Sequence, residues 1–320
     1  MLIMSRSWKR RDHELSYVAR SVAGAASRSA AVTILTPGGP AVPEADGAFD
    51  VIGIGIGAGD DWPSPEAAIW PHGLADDATI ILDELTTSSL LLLQALGPSR
   101  RRWAISSSTE DPSTSILSPV GSTGPEGAIV IGMHVPVNPL AATHRHNGFG
   151  FVGYVLVLSD RPVAADQPPA GAAWLTAGLP HADVVVVEQA TASVWRGRAR
   201  RGAVSVDTRT DLWRLMAHAR VCVDLGPGPI VARECVESLR FGTPILVPEA
   251  AAAAATHARA GGGLTFGDTA GLLAGTRAFF NEDFRTATAR SGRAYADERY
   301  GDPRAFATAL ERALAGPDRG

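Results

Sequence analysis

The sequence has only two cysteines and lacks the long apolar runs of membrane-spanning helices. Cys222 and Cys235 are too few for a disulfide framework, and they lack the spacing of metal ligands. An apolar run such as residues 90–93 is far shorter than the roughly 18 residues that a membrane helix requires. The start of the chain carries arginine after its apolar residues and has no hydrophobic stretch typical of a secretory signal. These absences predict a reduced, cytoplasmic protein without an integral membrane segment.

Clusters of positive charge are also scarce. The chain has 29 Lys+Arg against 33 Asp+Glu, which gives a net charge of −4. The longest basic clusters, residues 9–11 and 100–102, have only three residues each. The sequence therefore predicts no nucleic-acid partner. Lys9 is the only lysine, and any chemistry that requires a lysine amine must therefore use Lys9.

What the sequence does have is the composition of a folded, core-forming protein, with 45% hydrophobic and 19% charged residues. Short aliphatic runs alternate with stretches of helical periodicity, which is typical of βαβ units and a parallel sheet. We therefore predict an α/β protein of two Rossmann-like parallel-sheet domains facing a cleft, with boundaries at 1–148 and 149–320. Residues 106–127 are rich in Ser, Pro, Thr and Gly, and we predict a loop there.

The strongest local signal lies in residues 224–244, where a predicted strand ends in a Gly/Pro turn that leads into a helix. Pro229 is expected in the first turn of this helix, where its missing N–H does no harm. Exposed amides at a helix start carry a partial positive charge and suit a phosphate or diphosphate. An ordinary βα turn is the alternative. The backbone positions expected to bind the diphosphate are Gly226, Gly228, Ile230 and Val231.

Two acidic residues follow on the same predicted helix. Glu234 and Glu237 are three residues apart, so they share a helix face and could accept hydrogen bonds from vicinal hydroxyls. The alternative is that they are acidic residues placed favourably near a helix start.

The C-terminal half resembles the nucleotide-binding domain of GT-B glycosyltransferases, especially the large retaining family that includes sucrose and glycogen synthase-like enzymes. Residues 236–248 are similar to that family's Glu-Ala-Met-Ala-x-Gly-x-Pro-Val segment, and residues 260–268 resemble its Gly-x-Gly-Leu segment. In the N-terminal half, residues 14–38 look like the family's first βαβ unit. The resemblance implies that residues 1–148 form the acceptor side and residues 149–320 bind a nucleotide-sugar donor.

Carried over position by position, the resemblance is incomplete on the donor side. Glu237 matches the second of two family glutamates, which holds the nucleotide ribose, whereas the first falls on Pro229. Glu234 is the residue that could partly substitute for it. Arg161 matches the family arginine that neutralises the donor diphosphate, but the accompanying lysine falls near Asp166.

The N-terminal loop also departs from the family pattern. The family's Gly-Gly loop is replaced here by residues 8–13, whose bulky side chains do not allow the same backbone approach. Arg10 and Arg11 could supply positive charge to the diphosphate instead. His13 and His134 could contact the sugar, with a simple structural role as the alternative; together with Glu234 they are the candidate catalytic residues.

No metal site is predicted. His134, His144 and His146 cluster in sequence near the expected crossing between the domains, but no cysteine or paired carboxylate accompanies them. We interpret them as part of a cleft wall.

The resulting hypothesis is a glycosyltransferase that moves a sugar from a nucleoside-diphosphate donor to an unidentified acceptor. The transfer is expected to need neither metal nor cofactor, because cations and helix-start amides can stabilise the departing diphosphate. Retention of the anomeric configuration is implied by the resemblance alone. The alternatives are a non-catalytic GT-B-like protein that binds a nucleotide or a partner, and a nucleotide-sugar epimerase.

Overall fold

The computed structural model of the chain describes most of its residues. They are residues 1–6, 8, 14–28, 30–37, 44–46, 49–54, 62–64, 67–68, 79–82, 87–95, 102–107, 115–119, 129–130, 134–143, 153–159, 170–191, 194–199, 202–206, 208–226 and 232–315.

The chain divides into two compact units. The first comprises Met1–Ser108, Thr114–Met133 and Pro303–Gly320, and the second comprises Thr109–Ser113 and His134–Asp302. The first unit thus includes the last segment of the chain. The sequence-based domain boundary after residue 148 stays a prediction.

The elements alternate between strands and helices along the chain. The strands are β1 Leu2–Met4, β2 Thr33–Thr36, β3 Glu44–Asp46, β4 Phe49–Gly53, β5 Ile80–Leu82, β6 Arg102–Ser107, β7 Ser115–Pro119, β8 Ile129–Val130, β9 Val155–Ser159, β10 Val184–Thr191, β11 Val194–Ala199, β12 Gly202–Val206, β13 Val221–Asp224, β14 Ile245–Pro248 and β15 Gly263–Phe266. The helices are α1 Glu14–Ala26, α2 Thr87–Ala95, α3 Ala170–Gly178, α4 Arg209–His218, α5 Arg233–Arg240, α6 Ala252–His257, α7 Thr269–Ala278, α8 Glu282–Tyr300 and α9 Pro303–Ala315. A 3₁₀ turn occupies Pro139–Thr143, and a π-helical turn, Ala258–Gly262, follows α6.

In the first unit, the strands form one sheet in the order β3-β4-β2-β1-β5-β6-β7-β8. Its five central strands, β4, β2, β1, β5 and β6, are parallel. β3 adds an antiparallel strand at one edge, and β7 and β8 add antiparallel strands at the other. The prediction of a loop over residues 106–127 is wrong for Ser115–Pro119, which pairs with β6. Local composition gave no strand signal there, because the open edge of β6 supplies the hydrogen-bonding partner.

In the second unit, the sheet order is β12-β11-β10-β9-β13-β14-β15. Five of these strands, β10, β9, β13, β14 and β15, are parallel. β11 runs antiparallel to both of its neighbours, β10 and β12. The predicted α/β class, with a Rossmann-like parallel sheet in each half, is confirmed. The antiparallel strand β11 was not predicted.

Buried apolar runs account for the centre of this second sheet. All five residues of β9 and all four of β13 are buried. Alternate residues such as Val155, Val157, Val221 and Val223 pack against α3 and α7 in one core cluster. Strands covered on both faces need this continuous apolar composition. Burying each such side chain contributes about 1.5–3 kcal/mol.

The order of the connections gives the second sheet a switch point. The chain leaves β9 through α3 to reach β10 on one side, and returns through α4 to β13 on the other side. Open α/β sheets bind ligands in the crevice at the carboxyl ends of the two strands where this reversal occurs. That edge of the second unit lies beside Ser159 and Asp224.

Close packing explains Gly262 and Gly263 at the start of β15. A Cβ added at Gly263 would lie 1.8 Å from the carbonyl oxygen of Ile245, its partner in β14. At Gly262 it would lie 2.7 Å from Leu239, and at Gly292 of α8 it would lie 2.8 Å from the Cα of Gly262. The glycines therefore let α5 and α8 approach the edge of the sheet.

Among the described residues, no helix combines the length and apolar character needed to cross a bilayer.

We predict that Gly263→Ala lowers the free energy of unfolding by about 3 kcal/mol, because the new methyl group overlaps backbone that cannot move independently. Urea denaturation measures the effect. Gly267→Ala is the matched control in the same unit, since its Cβ would meet Glu249 only at 3.5 Å. Equal stabilities of the two variants would contradict the packing argument.

Candidate functional site

Polar residues end the two strands at the switch point of the second sheet. Ser159 ends β9 and Asp224 ends β13, and both are buried. The backbone pairing continues one residue beyond β13, because the Leu225 N–H donates to the Leu158 carbonyl at 3.0 Å. This distance is typical of a backbone hydrogen bond. The chain then bends at Gly226.

Asp224 fixes this bend through both carboxylate oxygens. Its Oδ1 accepts the Gly226 N–H at 2.9 Å, and its Oδ2 accepts the Cys235 thiol at 3.3 Å. Burial, together with the charge of Asp224, raises the pKa of the Cys235 thiol, so the thiol stays protonated and can donate. The Gly226 amide, which the sequence analysis assigned to a diphosphate, is therefore engaged by Asp224 in this structure.

The helix after the turn starts later than predicted. α5 begins at Arg233, and Pro229, which the sequence analysis expected in its first turn, lies outside the described residues. The start is set by Ala232, whose φ of 50° and ψ of 60° are left-handed and cannot continue a right-handed helix. The Cys235 and Val236 amides donate to the Ala232 carbonyl and form the first helical bonds.

Four charged side chains meet at the start of α5; we call Arg209, Arg233, Glu234 and Glu237 the arginine–glutamate cluster. Arg209 donates to Glu237 through Nε at 3.1 Å and through Nη2 at 2.5 Å. Its Nη1 donates to Glu234 Oε1 at 2.8 Å. Arg233 Nε donates to Glu237 Oε1 at 2.9 Å, one helical turn along α5. The cluster ties the start of α4 to the start of α5.

Burial and charge act in opposite directions in this cluster. The Glu237 side chain is fully buried, whereas that of Glu234 is 21% exposed. Burial alone would lower the pKa of Arg209, but the facing Glu237 and Glu234 carboxylates raise it above its ordinary value. Burial alone would raise the pKa of Glu234, but Arg209 and Arg233 lower it. Arg209 and Glu234 therefore remain ionised at neutral pH.

Sequence reasoning missed Arg209. A signal for its location existed, because Thr208 and Asp211 form a capping box that fixes Arg209 as the first residue of α4. α4 follows β12. Because β12 is antiparallel to β11 and β11 is antiparallel to β10, β12 runs in the same direction as the central strands. The starts of α4 and α5 therefore share the carboxyl edge of the sheet. The pairing itself spans 25 and 28 residues, which no local pattern reveals.

The structure does not bring His134 to this cluster. Its Nδ1 lies 3.0 Å from the Tyr300 carbonyl oxygen, as a donor to it, and burial lowers the pKa of its imidazole. Its charged neighbours include Arg240, at the far end of α5 from Glu234. Glu234 and Arg240 are six positions apart in this helix, a rise of about 9 Å along the axis.

A pocket of about 680 Å³ opens at that same far end of α5. Its charged groups pair with one another: Asp297 contacts Arg240 at 3.0 Å and Arg293 at 3.5 Å. The pocket is lined by Val137, Pro139, Ala142, Arg240, Phe241, Arg293, Asp297, Gly301 and Asp302, and so excludes both glutamates of the cluster.

The remaining predicted site residues lie outside the described part of the chain. They are Arg10, Arg11, His13, Arg161, Gly228, Ile230 and Val231. Within the described part, no group of three or more His, Cys, Asp or Glu side chains is arranged to hold a metal ion. Cys222 and Cys235 are free and buried.

The arrangement at the carboxyl edge suits a ligand that carries hydroxyl groups. Glu234 is an ionised, partly exposed acceptor held in place by Arg209, and it lies beside a fixed turn and a helix start. An ionised carboxylate only accepts hydrogen bonds, so the ligand group that faces it must donate.

Comparison with solved structures identifies the fold. Over 97% of this chain and 99% of the other, the structure is similar to WaaG, a glycosyltransferase involved in lipopolysaccharide biosynthesis, with a TM-score of 0.59 and 15% identity. It is similar to a UDP-forming α,α-trehalose-phosphate synthase from Burkholderia vietnamiensis (TM-score 0.59, 12% identity, 98% and 99% covered). A sucrose-phosphate synthase from Thermosynechococcus elongatus is also similar (TM-score 0.52, 10% identity, 98% of each chain covered).

These similarities show that the chain has a GT-B glycosyltransferase fold, as the sequence resemblance predicted. No protein-family model matches the sequence, and no curated protein matches it.

The cluster predicts a pH dependence of stability. The folded-state pKa of Glu234 lies below the ordinary value of 4.5, so its stabilisation is complete above that value. It is lost as pH falls through the folded-state pKa. We expect the stability difference between the unsubstituted chain and Glu234→Gln, measured by urea denaturation, to be largest at neutral pH and to shrink below about pH 4.5. Glu298→Gln, at an exposed position on α8, is the matched control for the loss of a carboxylate.

The left-handed backbone of Ala232 predicts strain that glycine relieves. We expect Ala232→Gly to raise the free energy of unfolding by about 1 kcal/mol, because glycine adopts a positive φ without the Cβ penalty. Ala232→Val should lower it, since a β-branched residue is disfavoured there. Thermal denaturation of the two variants measures both effects, and an unstable glycine variant would show that Ala232 is unstrained.

Proposed function

We propose that this protein is a glycosyltransferase that moves a sugar from a nucleoside-diphosphate donor to an acceptor, and that it binds the donor in the second unit. The observation that carries the proposal is the similarity of fold, over 97–98% of the chain, to three solved structures whose names describe sugar-transferring or sugar-joining enzymes. The carboxyl edge of the second sheet supports it, because that edge combines a switch point with an accepting carboxylate.

The donor diphosphate is proposed to lie at the start of α5. The ligands proposed from the sequence within the second unit are Gly226, Gly228, Ile230, Val231 and Arg161. Of these, Gly226 would have to exchange its bond to Asp224 for one to a phosphate oxygen. Glu237 is the residue that the family resemblance assigns to the ribose. Of the candidate catalytic residues from the sequence, Glu234 lies at this edge, His134 lies beside Arg240 at the other end of α5, and His13 lies outside the described residues.

In the proposed reaction, the bond between the anomeric carbon and the diphosphate oxygen breaks, and an acceptor hydroxyl oxygen bonds to that carbon. The acceptor proton leaves with the nucleoside diphosphate or with solvent. Preorganised amides and guanidinium groups stabilise the charge that develops on the leaving diphosphate, a contribution of several kcal/mol in such sites. We propose that no metal is required, that the configuration is retained and that the enzyme acts in the cytoplasm, in keeping with two free thiols.

A non-catalytic nucleotide-binding protein is the second candidate. Specific observations favour it: Pro229 replaces an expected glutamate, Asp166 replaces an expected lysine, and Arg209 covers the oxygens of Glu237. A binder needs recognition of the nucleotide but no stabilisation of a leaving group.

Turnover of nucleotide sugars distinguishes these candidates. The purified chain is incubated with UDP-glucose, ADP-glucose and GDP-mannose, and release of nucleoside diphosphate is measured with and without a mixture of saccharide acceptors. We expect release from one donor, unchanged by EDTA, and a glycoside whose anomeric configuration by NMR equals that of the donor. Loss of activity in EDTA would contradict the metal-independent reaction, and an inverted product would contradict retention.

Variants at Ala232 supply the matched controls. Ala232→Gly keeps the backbone at the start of α5 and should keep the release rate, whereas Ala232→Val should reduce it at least about tenfold, because small displacements of positioned groups are costly in rate. Thermal stabilisation by a donor without any release would instead support the binder; ligand at about 100 times its dissociation constant adds roughly 2.7 kcal/mol. An altered sugar configuration without release would support an epimerase.

A further inference from the structure

We propose that the pocket of about 680 Å³ at the far end of α5 binds a phosphorylated sugar, with the phosphate on Arg240 and Arg293 and the hydroxyl groups against Asp302. This is a second binding site in the second unit, and its lining includes neither glutamate of the arginine–glutamate cluster. The inference does not depend on the proposed sugar transfer.

The pocket has the size and the apolar wall of a small-molecule site. Its volume falls within the range of about 300–1,000 Å³ that is typical of such sites. Val137, Pro139 and Ala142 form one apolar side, and Phe241, the residue after α5, adds an aromatic ring. That ring packs against Trp213 of α4, with ring centroids 6.3 Å apart. The apolar wall is therefore supported by a second helix.

Arg240, the last residue of α5, is held in one orientation at the pocket. Its Nε donates to Asp297 Oδ1 at 3.0 Å, and its Nη1 donates to the Val135 carbonyl. Because the guanidinium is planar, these two bonds also fix the direction of Nη2. Within the described part of the chain, Nη2 has no hydrogen-bond partner. It is therefore a preorganised donor for a ligand.

Arg293 brings a second guanidinium to the same carboxylate. Its Nε lies 3.5 Å from Asp297 Oδ2, one helical turn along α8, and its side chain is 61% exposed. Its two terminal nitrogens form no hydrogen bond with any other described residue. Arg240 and Arg293 thus share one carboxylate and keep donors in reserve. A phosphate group supplies the negative charge and the several acceptor oxygens that two guanidinium groups can bind.

Asp302 indicates that the ligand carries hydroxyl groups as well as a phosphate. Its carboxylate lines the same pocket, and a carboxylate offers acceptors and a negative charge. A bare phosphate ion would be repelled by Asp302 and would leave the wall around Phe241 uncovered. A phosphorylated sugar supplies O–H donors for Asp302 and C–H groups for the apolar wall. It therefore matches all three kinds of surface that the pocket presents.

Titration calorimetry on the full chain tests the ligand class. The probes are glucose 6-phosphate, mannose 6-phosphate and fructose 6-phosphate, with glucose and inorganic phosphate as the separate parts of the ligand. We expect at least one sugar phosphate to bind at least about tenfold more tightly than glucose or inorganic phosphate, because each part alone loses hydrogen bonds to charged groups.

Substitutions on α8 test the location. Arg293→Ala should weaken binding of that sugar phosphate at least about tenfold, because charge-assisted hydrogen bonds are lost. Arg290→Ala is the matched control: it removes an exposed arginine of the same helix that does not line the pocket, and it should leave the dissociation constant unchanged. Thermal denaturation of both variants shows that the fold is kept. Asp302→Ala should bring the dissociation constants of the sugar phosphate and of inorganic phosphate closer together.

The outcomes decide each part of the proposal. Equal affinity of Arg293→Ala and the unsubstituted chain would place the sugar phosphate elsewhere and overturn the site, as would failure of all three sugar phosphates to bind. Inorganic phosphate that binds as tightly as the sugar phosphates would overturn the role of Asp302 and the hydroxyl groups. Release of nucleoside diphosphate is measured without sugar phosphate, so failure of the proposed transfer is distinguishable from failure of this site.

Discussion

The pairing of Arg209 with Glu237 is the interaction on which the carboxyl edge of the second unit depends. A buried carboxylate is tolerated only with a partner of opposite charge and satisfied hydrogen bonds. Glu237 meets this condition through Arg209 from α4 and Arg233 from its own helix. One ion pair therefore holds together two helix starts that are 24 residues apart in the chain, from Arg209 to Arg233.

Polar groups at this edge are satisfied before any ligand arrives. Asp224 accepts from Gly226 and Cys235, and the cluster neutralises its own charges. Among the described carboxylates of this edge, the Glu234 side chain is partly exposed, at 21%, whereas that of Glu237 is fully buried.

The near absence of lysine gains meaning from this geometry. Every cation in the cluster is an arginine, and the planar fork of Arg209 serves two carboxylates at once. A lysine ammonium is a point charge on a flexible stem and could not fix both partners in the same way. The chain thus combines a GT-B glycosyltransferase fold with a cluster whose cations are all arginines.

The sequence by itself determined the parallel sheet of each half. The apolar runs of β9 and β13 require coverage on both faces. Only the tertiary structure decided that Ser115–Pro119 pairs with β6 and that α5 begins at Arg233. It also decided that Arg209 forms an ion pair with Glu237. Burial patterns and turns are local and periodic, so sequence carries them. Edge pairing, a left-handed Ala232 and an ion pair across 28 residues depend on which surfaces meet after the chain has folded.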